Sequence, residues 1–200
     1  MKTKNFFVAA VLLMMSALTV NAQKYESEVY VMGGAASTNM NANEGGEAKY
    51  GLVMAIENNW RLTKLFGVTA GIGYMNTGAQ EKASDSKISL HYVNVPVMAN
   101  FRIAGWLSAN IGVQGAYLVA NDLTSHGEKL MVSGMMKSVF NKFDFGVPLG
   151  LSFHAKKTIL QLRYYYGLRS PFKSEFRNSA CLDEHDGDNR AFYIMLGYRL

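Results

Sequence analysis

Apolar and polar residues alternate with a period of two along most of the chain after residue 22, and this period is typical of β-strands. The clearest alternation covers residues 141–154, where one face carries Phe143, Phe145, Val147, Leu149, Leu151 and Phe153. Similar runs predict eight strands, at residues 25–36, 49–58, 66–76, 88–103, 106–120, 141–154, 158–168 and 191–200.

The connections between these strands alternate in length. Short connections follow the even strands, at residues 59–65, 104–105 and 155–157, and long polar ones follow the odd strands, at residues 37–48, 77–87, 121–140 and 169–190. Short turns at one end, long loops at the other and both termini at the short end are typical of outer-membrane barrels. We therefore predict an all-β fold, an eight-stranded antiparallel up-and-down transmembrane β-barrel with its long loops outside the cell.

Aromatic residues indicate which face meets lipid. Along the apolar faces they bracket aliphatic or small centres, in the pairs Phe66 and Tyr74, Phe143 and Phe153, and Phe192 and Tyr198, with Tyr117, Tyr166 and Phe101 at the same two levels. Two aromatic belts separated by aliphatic residues are typical of a bilayer-facing surface. Trp60 and Trp106 lie at the short-turn end, and the alternation leaves the face of Trp106 open.

The opposite face is polar and carries Asp144, His154, Gln161, Arg163 and Arg199. A charge facing lipid costs about 2–4 kcal/mol near the midplane, so the polar face is expected inside the barrel. We expect Asp144 to pair with Arg163 or Arg199, and side chains to fill the interior. The alternative is an exported soluble, lipocalin-like barrel that encloses a small apolar ligand with its apolar face inward.

The first residues predict export. Lys2 and Lys4 precede an apolar run at residues 6–20, and Val20-Asn21-Ala22 gives a small-x-small cleavage pattern. We expect a signal peptide at residues 1–22 and one barrel domain at residues 23–200. Gln23 follows the cleavage point, so an acylated lipoprotein, which needs cysteine there, is not expected.

Composition narrows the class further. Loss of Lys2 and Lys4 would lower the net charge from +5 to +3, too little to favour nucleic acid as a partner. Cys181 is the single cysteine, so the chain cannot form an internal disulfide. Nineteen glycines, eleven phenylalanines, eleven tyrosines and three prolines favour an all-β chain.

Several segments together resemble the small outer-membrane β-barrel proteins of Bacteroides-type bacteria, the PorT-like or outer membrane protein beta-barrel domain family. They are the export signal and the runs at residues 92–102, 144–150, 162–168 and 196–200. The resemblance implies that the barrel-assembly machinery recognises the last strand during biogenesis. Leu200 stands where such strands often end in an aromatic residue.

Pro96 and Pro148 fall inside the fourth and sixth predicted strands. Every strand of a closed barrel is central, and proline removes one donor from the hydrogen-bond ladder. We predict a bulge or broken pairing at each proline.

Candidate chemistry lies in the loops. Ser125, His126 and Glu128 combine a nucleophile, a base and a carboxylate, a set that could serve lipid A modification in a small outer-membrane barrel. The acidic run 183–188 around His185 lacks the spacing of a calcium loop, and His91 and His154 are scattered. Because neighbours in sequence seldom form a catalytic triad, we expect no catalytic, cofactor-binding or metal-binding residues.

Residues 127–140 mix apolar residues with lysines and predict either a short amphipathic helix at the membrane surface or a loop over the barrel mouth. The sequence thus predicts a non-catalytic monomer in contact with outer-membrane lipid. Its four long loops would serve binding, adhesion or envelope integrity through an unidentified extracellular partner. A lipid A-modifying enzyme is a further alternative.

Overall fold

The computed structural model describes residues 26–40, 47–81, 86–125, 128–130, 141–168 and 189–200. These residues form nine strands: β1 (Glu26–Met40), β2 (Glu47–Arg61), β3 (Phe66–Glu81), β4 (Ser86–Ala104), β5 (Leu107–Ser125), β6 (Glu128–Leu130), β7 (Phe143–Ala155), β8 (Thr158–Gly167) and β9 (Asn189–Arg199). None of the described residues belongs to a helix long and apolar enough to cross a membrane.

Eight of these strands close into a barrel. Each pairs antiparallel with its neighbours in the chain, and β1 pairs with β9 along Tyr30–Met40 to close the ring. The short strand β6 lies beside the end of β5 only, where Leu123 pairs with Leu130. The predicted eight-stranded antiparallel up-and-down barrel is therefore confirmed, with β6 as an extension of one wall.

The register sets the width of the barrel. We traced the paired residues from Glu26 to its partner on β2 and on from strand to strand around the ring. The path returns to β1 at Ala36, ten residues beyond its starting point. An eight-stranded barrel has an interior just wide enough for side chains to fill. The barrel is therefore a packed structure rather than an open tube.

Burial alternates along the strands and shows which side chains point into the barrel and which point outward. In β8, Ile159, Gln161, Arg163 and Tyr165 are buried, whereas Leu160 and Tyr164 are exposed. Across the described residues, as many polar or charged side chains as apolar ones are buried. The interior is thus unusually polar for a folded protein, and the apolar faces of the strands point outward.

The strands extend beyond the predicted ends at the long-connection side. β3 continues to Glu81 and β5 to Ser125, and the β4–β5 ladder remains paired out to Ser86 and Ser125. The residues in these strand extensions are mostly polar, so an alternation of apolar and polar residues no longer identifies the strand there. Backbone pairing with neighbouring strands extends the elements instead.

Neither proline produces a bulge. Pro96 pairs with Gln114 on β5, but the β3–β4 ladder lacks the pairs between Ala70–Val97 and Gly73–Asn94. Pro148 likewise pairs with Tyr165 on β8, while the β5–β7 ladder is interrupted beside it. The register is kept across both gaps, so the prediction of a bulge or broken pairing is confirmed, and it takes the form of broken pairing on one side of each proline.

Candidate functional site: the lipid-facing surface and the barrel interior

The outer surface carries a continuous apolar band. Ile56, Val113 and Ile194 lie near the middle of β2, β5 and β9, and each is about half exposed, with Ile56 at 51%. Exposed large apolar residues occur on every long strand, and a monomeric soluble protein rarely exposes a patch of this kind. The band is suited to lipid, and the alternative of a soluble barrel with an apolar interior is wrong.

Aromatic girdles border the band at both ends. At the short-turn end, the rings of Phe66 and Phe101 lie 5.4 Å apart, and those of Trp106 and Phe153 lie 6.1 Å apart. At the other end, Tyr117 lies against Phe143 with ring centroids 5.0 Å apart. The two predicted aromatic levels are confirmed, and Trp106 belongs to the outer surface.

The interior begins at the short-turn end with a charged cluster. The buried carboxylate of Glu28 accepts from Arg199 at 2.5 Å and lies 3.4 Å from Arg61, which also pairs with Glu26. The hydroxyl of Tyr30 donates to Glu28 at 3.1 Å. The two arginines therefore neutralise Glu28 and join the first two strands to the last.

A second ion pair lies deeper in the barrel. Nη2 of Arg163 donates to both carboxylate oxygens of Glu57, at 2.7 and 2.8 Å, and to Oε1 of Gln161 at 2.6 Å. The side chains of Arg163 and Glu57 are only 3% and 2% exposed. Because Arg163 pairs with Glu57 and Arg199 with Glu28, the prediction that Asp144 pairs with one of these arginines is wrong.

A chain of polar side chains crosses the same level. Nδ2 of Asn100 donates to Oδ1 of Asn110 at 2.6 Å, and Nδ2 of Asn110 donates to Oγ of Ser152 at 2.7 Å. The Ser152 oxygen also accepts from Gln161 at 3.1 Å. These contacts link β4, β5, β7 and β8 across the interior and connect them to Arg163.

The half of the interior toward the long connections is filled by large side chains. We call this set the tyrosine–methionine plug; it comprises Tyr92, Tyr165, Tyr193, Met75 and Met195, all fully buried. The Tyr193 hydroxyl donates to Sδ of Met75 at 3.0 Å. A Cβ at Gly146 would lie 2.6 Å from the Tyr165 ring, so only glycine leaves room for that ring.

Small spaces remain on the other side of the plug, in the short-turn half. One is lined by Glu57, Asn59, Thr69 and Asn100, among others, and a second by Asn59, Arg61, Asn100 and Arg102. Each has room for about one water molecule. A water molecule in each space could bridge the polar side chains around it, within a barrel that is otherwise filled.

The structure locates part of the loop chemistry considered in the sequence. Ser125 pairs in register with Glu128 where β5 meets β6, and His126 lies outside the described residues. Cys181 and residues 183–188 also lie outside them. Within the described residues, no group of three or more His, Cys, Asp and Glu side chains is placed to hold a metal ion.

The segment 127–140 is described only in part. Its residues Glu128–Leu130 form a strand, so this portion is not the predicted amphipathic helix. The rest of the segment lies outside the described residues, and the helix stays a prediction there.

Sequence reasoning missed Glu57 and the plug. Both occupy the inward face, which the alternation identified as polar, but partners on distant strands decide their role. Glu57 and Arg163 are 106 residues apart, and Met75 and Tyr193 are 118 apart. The alternation along the strands places Met75, Tyr193 and Met195 on the inward face, and this feature of the sequence could have revealed the plug.

An apolar exterior between two aromatic girdles, around a closed and polar interior, defines the class of integral outer-membrane β-barrel proteins. The chain belongs to the family described as the outer membrane protein beta-barrel domain, which matches residues 7–199. The narrower resemblance to PorT-like proteins of Bacteroides-type bacteria stays a prediction.

Solved structures that share this fold include two further outer-membrane proteins. One is the outer membrane protein Ail of Yersinia pestis in a phospholipid bilayer nanodisc, with a TM-score of 0.50 and 16% identity, covering 88% of this chain and 100% of that one. The other is a major outer membrane protein of Thermus thermophilus, with a TM-score of 0.50 and 13% identity, covering 87% and 99%. No functionally curated protein matches the chain in sequence.

Proposed function

We propose that this protein is a non-catalytic outer-membrane barrel that acts through its extracellular connections, in binding, adhesion or envelope integrity. The filled interior carries the proposal. The tyrosine–methionine plug and the Glu57–Arg163 pair occupy successive levels of the barrel, which disfavours passage of solutes. The connections that follow β1, β3, β5 and β8 then remain as the parts available to an external partner.

We further propose that residues 1–22 are removed on export, and that the mature chain is a monomer in contact with outer-membrane lipid. The barrel-assembly machinery would recognise β9, which pairs with both β1 and β8 and completes the ring. The intact mass of the protein purified from outer membranes tests the cleavage. A mass that includes residues 1–22 would contradict it.

Shortened connections test the loop function. In separate variants, residues 41–46, 131–140 and 169–188 are replaced by short turns, and folding is checked by the mobility difference between boiled and unboiled samples. We expect the barrel to fold, because the ladders that close it lie outside these segments. We expect a deletion strain to lose cell adhesion or resistance to a large antibiotic, and at least one shortened variant should show the same loss.

Two results would oppose the proposal. Steady conductance of the native protein in a planar bilayer would mean that the interior is open. Altered lipid A in the deletion strain, restored by the native protein but not by His126→Ala, would favour the enzymatic alternative. We expect no conductance above background and the same lipid A in all strains.

A further inference from the structure

The β2–β3 turn and the end of β4 line an open pocket at the short-turn end of the barrel. In an outer-membrane barrel this end faces the periplasm. The residues that line the pocket are Glu26, Arg61, Leu62, Thr63, Lys64 and Arg102. We propose that this pocket binds the phosphate group of an inner-leaflet phospholipid, whose acyl chains lie over the apolar residues beside it.

The pocket carries an excess of positive charge. Arg61 is paired with Glu26 and Glu28, whereas no carboxylate forms an ion pair with Lys64 or Arg102 in the part of the chain that the structure describes. The buried Nε of Arg61 likewise lacks an acceptor among the described residues. Arg102 and Lys64 thus bring a guanidinium and an ammonium to the lining of one pocket, and phosphate oxygens are acceptors that suit both groups.

Backbone contacts fix the chain segments that carry these cations. Oγ1 of Thr63 accepts from the backbone N–H of Phe66 at 2.9 Å, which fixes the turn that presents Lys64. The backbone N–H of Arg102 donates to the carbonyl of Leu65 at 2.8 Å, which ties the turn to β4. The arrangement therefore does not depend on the charged groups, and these can be neutralised without removing the contacts that shape the pocket.

The outer side of the same turn is apolar. Leu65 and Ile103 are 69% and 63% exposed, and beside them the rings of Phe66 and Phe101 pack 5.4 Å apart in the lower girdle. Cationic groups next to exposed apolar groups at a membrane boundary match the two parts of a phospholipid. A free phosphate ion would use only the cationic part, so this juxtaposition favours the lipid.

The test measures lipid bound to the full-length mature protein by native mass spectrometry in maltoside micelles, which contain no phosphate. Dioleoylphosphatidylglycerol is titrated against dioleoylglycerol, which has the same acyl chains without phosphate. The variant Lys64→Gln/Arg102→Gln removes both unpaired charges. Its control, Lys156→Gln/Lys157→Gln, removes equal charge from the β7–β8 turn at the same end of the barrel.

We expect the native protein to retain phosphatidylglycerol and to bind dioleoylglycerol much more weakly. Each cation that contacts the phosphate is expected to contribute about fivefold, so the Lys64/Arg102 variant should bind roughly 30-fold more weakly. Lys156 and Lys157 do not line the pocket, so the control should lose less than twofold. Lys64→Gln alone should lose about fivefold, and it keeps the proposal testable if the double variant does not fold.

Other outcomes would overturn the proposal. Equal losses in the variant and the control would mean that only the general charge of this end attracts lipid. Equal retention of dioleoylglycerol would mean that the chains bind without the phosphate. Displacement of the phospholipid by inorganic phosphate alone would make the pocket a site for the free ion.

Discussion

The buried pair Glu57–Arg163 offers the sharpest test of how the barrel is stabilised. Both side chains lie inside the barrel, on β2 and β8, and Arg163 also donates to Gln161. We predict that Arg163→Met and Glu57→Leu each destabilise the protein strongly, and that the double variant is much closer to the native protein.

The magnitude follows from the partners. Removing one member of a buried ion pair leaves an uncompensated charge and costs about 3–5 kcal/mol. In the double variant neither charge of the pair remains, but the buried Oε1 of Gln161 loses its donor, which costs about 1–3 kcal/mol. The expected losses in free energy of unfolding are therefore about 3–5 kcal/mol for each single change and about 1–3 kcal/mol for the double, well below the sum of the two single changes.

Urea unfolding in phospholipid vesicles measures these values through the fluorescence of Trp60 and Trp106, the two tryptophans of the chain. Glu26→Gln is the control, because Glu26 is 64% exposed and a surface pair contributes only about 0–1 kcal/mol. If Arg163→Met costs no more than Glu26→Gln, the buried pair does not stabilise the barrel and the reasoning fails.

Three further changes test the surface, the plug and the seam between β1 and β9. Ile194→Arg should cost about 2–4 kcal/mol in vesicle unfolding and Tyr198→Arg at most about 1, because the first lies between the girdles and the second at the interface; equal costs would contradict the lipid band. Alanine in place of the three plug tyrosines should raise single-channel conductance in planar bilayers, and unchanged conductance would show that the plug does not seal the barrel. Gly34→Val should slow folding into vesicles, followed by gel mobility, because a Cβ there would lie 1.9 Å from the Ile194 carbonyl oxygen, whereas the outward Gly33→Ala has nothing within 4 Å and should fold like the native chain.

The barrel itself could be predicted from sequence because two independent periodicities agree. Side-chain alternation identified each long strand, and the lengths of the connections gave the up-and-down order. Strand ends could not be predicted in the same way. Residues such as Gln80 and Asp122 lie beyond the apolar band, where the backbone ladders place Gln80 opposite Lys87 and Asp122 opposite Ser89.

The interior partners were beyond sequence reasoning for a different reason. Alternation shows that Arg163 points inward, but not which carboxylate meets it, since the stagger of the barrel decides which side chains share a level. Glu57 on β2 reaches Arg163, while Asp144, in the neighbouring strand β7, does not form that pair. The prolines were partly predictable because a missing N–H interrupts a ladder, but only the structure shows that each gap leaves the register intact.

The interior is divided along the barrel axis, and this division separates what can happen at the two ends. Charged and amide side chains from Glu28 to Arg163 occupy the half toward the short turns, and the tyrosine–methionine plug, with Asp144 and Gln114 beside it, occupies the other. Under the proposed function, a partner outside the cell would meet the connections that follow β1, β3, β5 and β8, whereas an inner-leaflet ligand would meet the cationic pocket at Lys64 and Arg102. Because the plug lies between these regions, changes in the extracellular connections should leave phospholipid retention unaltered, and loss of Lys64 and Arg102 should leave adhesion unaltered. Coupling between the two ends would require movement of the plug, which its close packing opposes.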